Sequence, residues 1–187
     1  SKIPAKNVNE FIALAKQRPR ELTYGSPGNG SLAHLAAEIF KTQTNTDLLH
    51  IPYKGSAQVV SDLMAGHVNT TFNVTPTKSD EVRILAVSSN KRSLALPEVP
   101  TFAQSGVPNF ELSLWVGLFG PSNLPQSIVD KLNREVNKIL MTPEIQQQLR
   151  TLNVEFIANT QKQFADFLAT DTARWQKVIQ DIGVTVD

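Results

Sequence analysis

Short apolar segments alternate with amphipathic segments through the first half of the chain, and this alternation restricts the fold more than any other feature. The apolar segments, which predict strands, lie at 22–26, 48–53, 68–74 and 81–88. Apolar residues at helical spacing predict helices that begin at Val8, at Leu32 and after a cap at Ser56. This order predicts an α/β fold with a parallel sheet and helices on both faces, and such sheets bind ligands beyond the carboxyl ends of their strands.

The second half of the chain has a different pattern. Residues 90–111 lose the periodicity and contain three prolines, which predicts a long surface crossing between two parts of the fold. We predict further strands at 112–120 and 154–158. We predict helices after Pro125, after Thr142, and between Thr160 and Gly183.

The composition excludes several classes of partner. The 187 residues are 41% hydrophobic, and 18 basic against 17 acidic residues leave a net charge of +1. This balance lacks the basic footprint of a protein that binds nucleic acid or a charged membrane surface, so we expect neither partner. No apolar run reaches the roughly 18 residues of a membrane span, so we expect no direct membrane insertion. The chain has no cysteine, which excludes disulfides and cysteine-based metal sites.

A glycine-rich stretch, 24–34, joins the first predicted strand to the second predicted helix. Its sequence is Tyr24-Gly-Ser-Pro-Gly-Asn-Gly-Ser-Leu-Ala-His34. Three glycines allow positive φ angles and a close approach to a ligand, and Ser31 is placed to cap the helix. Amide groups at a helix N-terminus hold a carboxylate or a phosphate without a charged side chain. The stretch therefore predicts a seat for a small anion, and an ordinary glycine-rich turn is an equally open interpretation.

Three better-known glycine motifs do not fit this stretch. The spacing of Gly25 and Gly30 is that of a phosphate-binding P-loop, but Ser31 and Leu32 stand where Lys and Ser or Thr are needed. No serine here has glycine two positions away on both sides, as a nucleophile elbow requires. The glycine spacing also differs from the dinucleotide fingerprint.

The ends of the first three strands should meet at one edge of the sheet. They carry residues 26–31, 53–56 and 73–77, which are mostly hydroxyl, amide and backbone groups with Lys54 as a cation. We find no nucleophile paired with a base and no cluster of carboxylates, so we expect no catalysis. The three histidines share no ligand spacing, so we expect no metal and no cofactor.

The chain resembles the Bug family, the periplasmic solute receptors of tripartite tricarboxylate transporters. The resemblance covers nearly the whole chain, and its landmarks keep their order and spacing. They are Tyr24-Gly-Ser, Gly28-Asn-Gly-Ser31, His34-Leu35, Pro52-Tyr-Lys-Gly55, Lys91-Arg-Ser, Ala95-Leu-Pro-Glu-Val-Pro-Thr101, and Trp115-Val-Gly-Leu118 followed by Pro121 and Pro125.

The resemblance implies a type II periplasmic binding protein whose two lobes close by hinge motion over a small carboxylate, without catalysis. It implies that residues 1–112 form the second lobe and that 113–187 return to the first lobe, whose N-terminal part is absent. It also implies a periplasmic location and membrane transporter subunits as partners. The chain opens on Ser1 without a signal-peptide pattern, which we interpret as a mature product, a fragment or a cytoplasmic protein.

Two departures from the family pattern bear on the ligand. Asn73 stands where family members usually carry an aspartate, which shifts preference away from ligands with an ammonium group. The segment from Thr77 to Asp80 is several residues shorter than usual, as a deletion or a break in the chain would make it.

Each predicted ligand contact has a structural alternative. The alternative for Ser31 is to act only as a helix cap. The alternative for His34 is to pair with Glu38 one turn further on. The alternative for Lys54 is to extend along the surface, and the alternative for Tyr53 is to pack in the core. Asn73, at the tip of a strand, is predicted to form a hydrogen bond with the ligand. The ligand-binding residues that we predict are Ser26, Gly28, Asn29, Gly30, Ser31, His34, Tyr53, Lys54, Gly55 and Asn73.

These observations predict an extracytoplasmic receptor for an organic acid, a dicarboxylate or an amino acid. An enzyme that uses the glycine-rich stretch as an oxyanion or phosphate cradle is the first alternative. The effector-sensing module of a regulator is the second, although the chain shows no DNA-binding segment.

Overall fold

The structure, a computed structural model, describes residues 3–73, 79–93, 96–112, 114–152 and 154–183. The chain divides into two compact units. The first contains the residues up to Leu114 and those from Val178 onward, and the second is Trp115–Lys177. The lobe boundaries predicted from the sequence, 1–112 and 113–187, stay a prediction.

The first unit contains a small parallel sheet with helices around it, as the alternating pattern predicts. Strand β1 pairs in parallel with β2 on one side and with β3 on the other. In chain order the elements are α1 (Val8–Gln17), β1 (Thr23–Ser26), α2 (Leu32–Thr44), β2 (Leu49–Pro52), α3 (Ser56–Ala65), β3 (Thr70–Thr71) and a short 3-10 helix (Ala103–Ser105).

In the first unit, the start of α1 and the end of α3 follow local sequence signals, but the start of α3 does not. Asn7 caps α1 by accepting the Glu10 N–H, and Gly66 ends α3 in the left-handed conformation. The cap predicted at Ser56 is wrong because Gly55 occupies the N-cap position and Ser56 is already helical. Gly55 has no side chain with which to cap, so this helix begins without a side-chain hydrogen bond.

Two predicted strands of the first unit are shorter than expected or missing. The third strand is only Thr70–Thr71, and Val74 lies outside the described residues. The strand predicted at 81–88 is wrong, since Val82 and Val87 form only isolated bridges. Val87 bridges Thr101, and the preceding Pro100 has no N–H with which to extend a ladder.

The core of the first unit includes a cluster of five phenylalanines. Phe40 from α2 is at its centre and is 1% exposed. Its ring centroid lies 5.3–6.2 Å from those of Phe11, Phe72, Phe102 and Phe110. This cluster joins α1, α2 and β3 to the crossing segment, so it holds the sheet in place from one side.

The second unit contains three helices. They are α4 (Gln126–Leu140), α5 (Pro143–Thr151) and α6 (Gln161–Ile182), whose last residues are grouped with the first unit. All three were predicted, and Thr160 caps α6 by accepting the Gln163 N–H.

The last two predicted strands do not form among the residues that the structure describes. The described residues of 112–120 and 154–158 adopt no ladder, and Ser113 lies outside the described part. Trp115 instead packs edge-on against Phe164 and Phe167 and donates its indole N–H to Asp171. Trp175 is half-buried, with the Arg174 guanidinium 5.5 Å from its ring. Among the described residues, none of the helices combines the length and apolar character that crossing a bilayer requires.

Candidate functional site

The carboxyl ends of the three strands lie at one edge of the sheet, as predicted. Ser26 at the end of β1 is opposite Pro52 at the end of β2, and Gly25 is opposite Thr71 in β3. The Tyr53 N–H extends the first pairing by donating to the Ser26 carbonyl at 2.8 Å. Asn73 follows β3 after one residue and is half-buried. The rim residues predicted beyond it, up to Thr77, lie outside the described residues.

The glycine-rich stretch crosses this edge and leads into α2. Gly28 and Gly30 have φ angles of 141° and 72°, which favour glycine. A side chain at Gly28 would lie 3.6 Å from the Tyr53 carbonyl, so the loop passes close to the end of β2. Ser31 is the N-cap of α2, as predicted: its hydroxyl accepts the His34 N–H at 3.3 Å and donates to the Gly28 carbonyl at 2.7 Å.

Two amides of the loop donate to side chains beneath it. The Gly30 N–H donates to His34 Nδ1 at 3.0 Å, and the Gly28 N–H donates to Ser26 Oγ at 3.3 Å. Ser26 is fully buried and His34 is 8% exposed, so both support the loop from inside. Their role as ligand contacts therefore stays a prediction.

Three aromatic rings form a stack below the loop, and this arrangement was not predicted. His50 lies between Tyr24, at a centroid distance of 4.7 Å, and His34, at 4.2 Å, with all planes nearly parallel. The strand register explains it, because Tyr24 is opposite His50 and side chains alternate along a strand. Ser26, two residues after Tyr24, therefore faces the same side, and its Oγ is 2.6 Å from His50 Nε2.

The electrostatics of the stack favour neutral rings. Burial lowers the pKa of His34, and it lowers the pKa of His50 to about 4. Burial also raises the pKa of Tyr24, whose hydroxyl donates to Glu38 at 2.6 Å. Burial acts to raise the pKa of Glu38, but hydrogen bonds from Lys41 and Tyr24 hold it below its usual range. Glu38 is therefore paired with Lys41 and Tyr24, and His34 accepts a hydrogen bond from the Gly30 N–H of the loop instead of pairing with Glu38.

The remaining predicted residues surround the start of α3. The Tyr53 ring packs 3.3 Å from the position of a side chain at Gly25. Its hydroxyl donates to Asp62 at 2.7 Å, and burial together with this bond raises the pKa of Tyr53 to about 12. Lys54 is exposed to solvent, as is Asn29 in the glycine loop, and Gly55 caps α3. The structure thus brings Ser26, the glycine loop and the Tyr53 backbone together and leaves Lys54 in solvent.

The expectation that no nucleophile is paired with a base is wrong in one respect. Ser26 and His50 are in hydrogen-bond contact, but Ser26 has no exposed surface, so a substrate has no access to its hydroxyl. In the described parts of the chain, no group of three His, Cys, Asp or Glu side chains is placed to hold a metal ion. The two stacked imidazoles lie in parallel planes, and the lone pairs of their nitrogens lie within those planes. The two rings therefore do not point toward a common metal ion.

Comparison with known proteins supports the resemblance. A UPF0065 protein in the tcbD-tcbE intergenic region of Pseudomonas sp. (strain P51) is 37% identical over 93% of this chain and 54% of that protein. BugT of Bordetella pertussis (strain Tohama I) is 32% identical over 97% of this chain and 57% of that protein. The chain thus spans a little over half the length of these curated relatives.

Solved structures with similar folds include periplasmic binding proteins, which confirms the predicted fold class. A structure of R. palustris Rpa4515 with adipate has a TM-score of 0.88 and 35% identity over 99% of this chain and 64% of that one. The periplasmic binding protein BugD has a TM-score of 0.81 and 27% identity over 98% of this chain and 64% of that one. The model of the tripartite tricarboxylate transporter family receptor, TctC, matches residues 1–184, and the chain belongs to that family.

Proposed function

We propose that this chain forms part of a periplasmic receptor that captures a small carboxylate for a tripartite tricarboxylate-type transporter. The observation that carries the proposal is the family match across residues 1–184. The similarity to Rpa4515, which was solved with adipate, supports a dicarboxylate as the ligand class. The transporter subunits would be its membrane partners.

The glycine-rich stretch is the part of the molecule best suited to hold a carboxylate. The first amide groups of a helix have no acceptor within the helix, and the helix dipole places partial positive charge there. The Ser31 hydroxyl and the amides of Gly28 to Gly30 lie at that end of α2 and at the edge of the sheet. We assign the carboxylate to this seat, with Tyr53, Lys54, Gly55 and Asn73 as flanking residues.

An enzyme is the second candidate because Ser26 and His50 are in contact. A hydroxyl next to a neutral imidazole is a common arrangement for nucleophilic catalysis. The complete burial of Ser26 argues against it. Turnover of p-nitrophenyl acetate that is lost in Ser26→Ala would favour the enzyme over the receptor.

Calorimetry with adipate tests the receptor proposal. We expect binding, and we expect Ser31→Ala to weaken it about tenfold, since the loop then loses the Ser31 bonds to the Gly28 carbonyl and the His34 N–H that hold the seat in shape. Thr160→Ala, which removes the cap of α6, is the matched control and should leave affinity unchanged. No binding of adipate or of shorter dicarboxylates would contradict the proposal.

A further inference from the structure

His34 accepts a hydrogen bond from a loop amide that a bound anion would also use. Its Nδ1 accepts the Gly30 N–H at 3.0 Å, which requires a lone pair on Nδ1 and places the ring proton on Nε2. A carboxylate that bound the glycine loop would compete with this nitrogen for the same N–H. The imidazole therefore acts as an internal substitute for the ligand oxygen.

Protonation would reverse the role of His34. An imidazolium has N–H donors at both nitrogens and accepts no hydrogen bond. A protonated His34 would release the Gly30 N–H and add a positive charge directly below the loop. Both changes favour an anion above it, and the anion in turn favours the charged ring.

The titratable groups around His34 make the two histidines the site of proton uptake. Tyr24 from β1, His50 from β2, and Glu38 and Lys41 from α2 itself are the titratable groups that interact with the ring. Glu38 is already paired with Lys41 at 2.8 Å and with the Tyr24 hydroxyl. Because His34 and His50 stack at 4.2 Å, a charge on one ring opposes a charge on the other.

We propose that carboxylate capture at the glycine loop is coupled to the uptake of one proton by the stacked pair His34 and His50, so that affinity rises as the pH falls. The inference rests on the proposed function, whose carboxylate seat it uses. It adds that His34 occupies part of the carboxylate site in the free protein by accepting the Gly30 N–H. Protonation of the histidine pair would release this N–H for the ligand.

The coupling has a defined sign and an upper limit. Binding of an anion raises the pKa of the pair, so the complex holds more protons than the free protein between the two pKa values. Affinity increases by up to about tenfold per pH unit as the pH falls through that window. The window ends at the pKa of the free pair, which burial places below the ordinary histidine value of 6.5.

Calorimetry of the full chain with adipate measures the coupling directly. Titrations between pH 5.5 and 7.5, in buffers with different heats of ionisation, count the protons taken up on binding. We expect net uptake of at most one proton, larger at pH 5.5 than at pH 7.5, with a parallel rise in affinity. This measurement on the unsubstituted chain does not depend on whether any variant folds.

Three variants locate the proton. His34→Asn places an amide oxygen near the position of Nδ1, so the Gly30 N–H keeps an acceptor that does not titrate. His50→Gln does the same near Nε2, opposite Ser26. The matched control is His67→Gln, since His67 is exposed and lies 3.4 Å from Asp62, outside the stack. Thermal denaturation verifies that each variant is folded.

The outcomes separate this inference from the function on which it rests. We expect His34→Asn to bind adipate with little proton uptake and His67→Gln to behave like the unsubstituted chain. Binding with no proton uptake and an affinity that is flat with pH would overturn the coupling and leave the receptor intact. Uptake that survives in both His34→Asn and His50→Gln would also overturn it. Failure to bind adipate at every pH would instead refute the receptor proposal itself.

Discussion

The two units of the chain place their apolar side chains very differently. In the first unit, Phe40 and Tyr24 have 1% and 0% of their surface exposed. In the second, no described residue of 115–177 is buried, and Phe119 is 63% exposed. Yet α4 in the second unit is as clearly amphipathic as α1 in the first.

This difference shows that helical periodicity and burial are separate properties. A 3.6-residue apolar pattern specifies which side of a helix is suited to a core, but not whether packing covers it. Phe11 of α1 belongs to the phenylalanine cluster and is 3% exposed, whereas Ile128, Leu132 and Ile139 of α4 are 44%, 44% and 54% exposed. We therefore expect the same kind of substitution to have unequal effects in the two units.

The largest expected effect is that of truncating a core phenylalanine. Phe40→Ala should lower the free energy of unfolding by about 3–5 kcal/mol because it leaves a cavity at the centre of the cluster. The matched change Phe119→Ala in the second unit should cost less than about 1 kcal/mol, since most of that ring is in solvent. Urea denaturation monitored by circular dichroism measures both, and equal losses would break the comparison.

A smaller effect is expected at two glycines. A side chain at Gly25 would lie 3.0 Å from Val59 and 3.3 Å from the Tyr53 ring, in the packed sheet. Gly25→Ala should therefore cost about 1–3 kcal/mol. At Gly117 a side chain would overlap Phe164 Cζ more closely still, but that atom is the far end of a side chain in a unit whose described residues are not buried. We expect Gly117→Ala to cost less despite the shorter distance, and a larger loss in thermal denaturation would contradict this.

The pH dependence of stability should also belong to the first unit. Burial keeps His34 and His50 neutral, so the unfolded chain binds more protons between about pH 6.5 and pH 4. The free energy of unfolding should fall by about 1–2 kcal/mol as the pH falls through that window, after allowance for solvent screening of the half-buried His50.

The two units contain different probes with which to test this. Both tryptophans, Trp115 and Trp175, lie in the second unit, and both tyrosines, Tyr24 and Tyr53, lie in the first. On acidification, the near-ultraviolet signals of the tyrosines should change at a higher pH than the emission of the tryptophans. The double variant His34→Asn with His50→Gln should lose most of the pH dependence, and an unchanged profile would contradict the assignment.

The smallest effect should be the same in both units. Ser31→Ala and Thr160→Ala each remove a cap that accepts a backbone N–H, and each should cost about 1 kcal/mol. The Thr142 hydroxyl accepts no backbone N–H at the start of α5 and donates to the Ile139 carbonyl at an exposed position, so Thr142→Ala should cost less than about 0.5 kcal/mol. Because caps act locally, unequal costs at Ser31 and Thr160 in chemical denaturation would show that burial affects even helix ends.

Most predictions from sequence that succeeded have a local cause. Ser31 was placed correctly as a cap because a cap depends on residues within one turn, whereas the cap predicted at Ser56 falls on Gly55. The strand predicted at 81–88 failed because ladder formation depends on a partner segment, and that partner contains Pro100. The glycine loop was located at the sheet edge, whereas its internal hydrogen bond to His34 was not foreseen.

The sequence by itself determined the parallel α/β plan, the position of the glycine loop and the N-cap at Ser31, because these follow from residue order and nearest neighbours. Only the tertiary structure decided that Tyr24, His50 and His34 stack and that Ser26 contacts His50. Strand register sets which residues 16 to 26 positions apart become neighbours, and burial then sets their protonation. Neither quantity is encoded in the spacing of the residues along the chain.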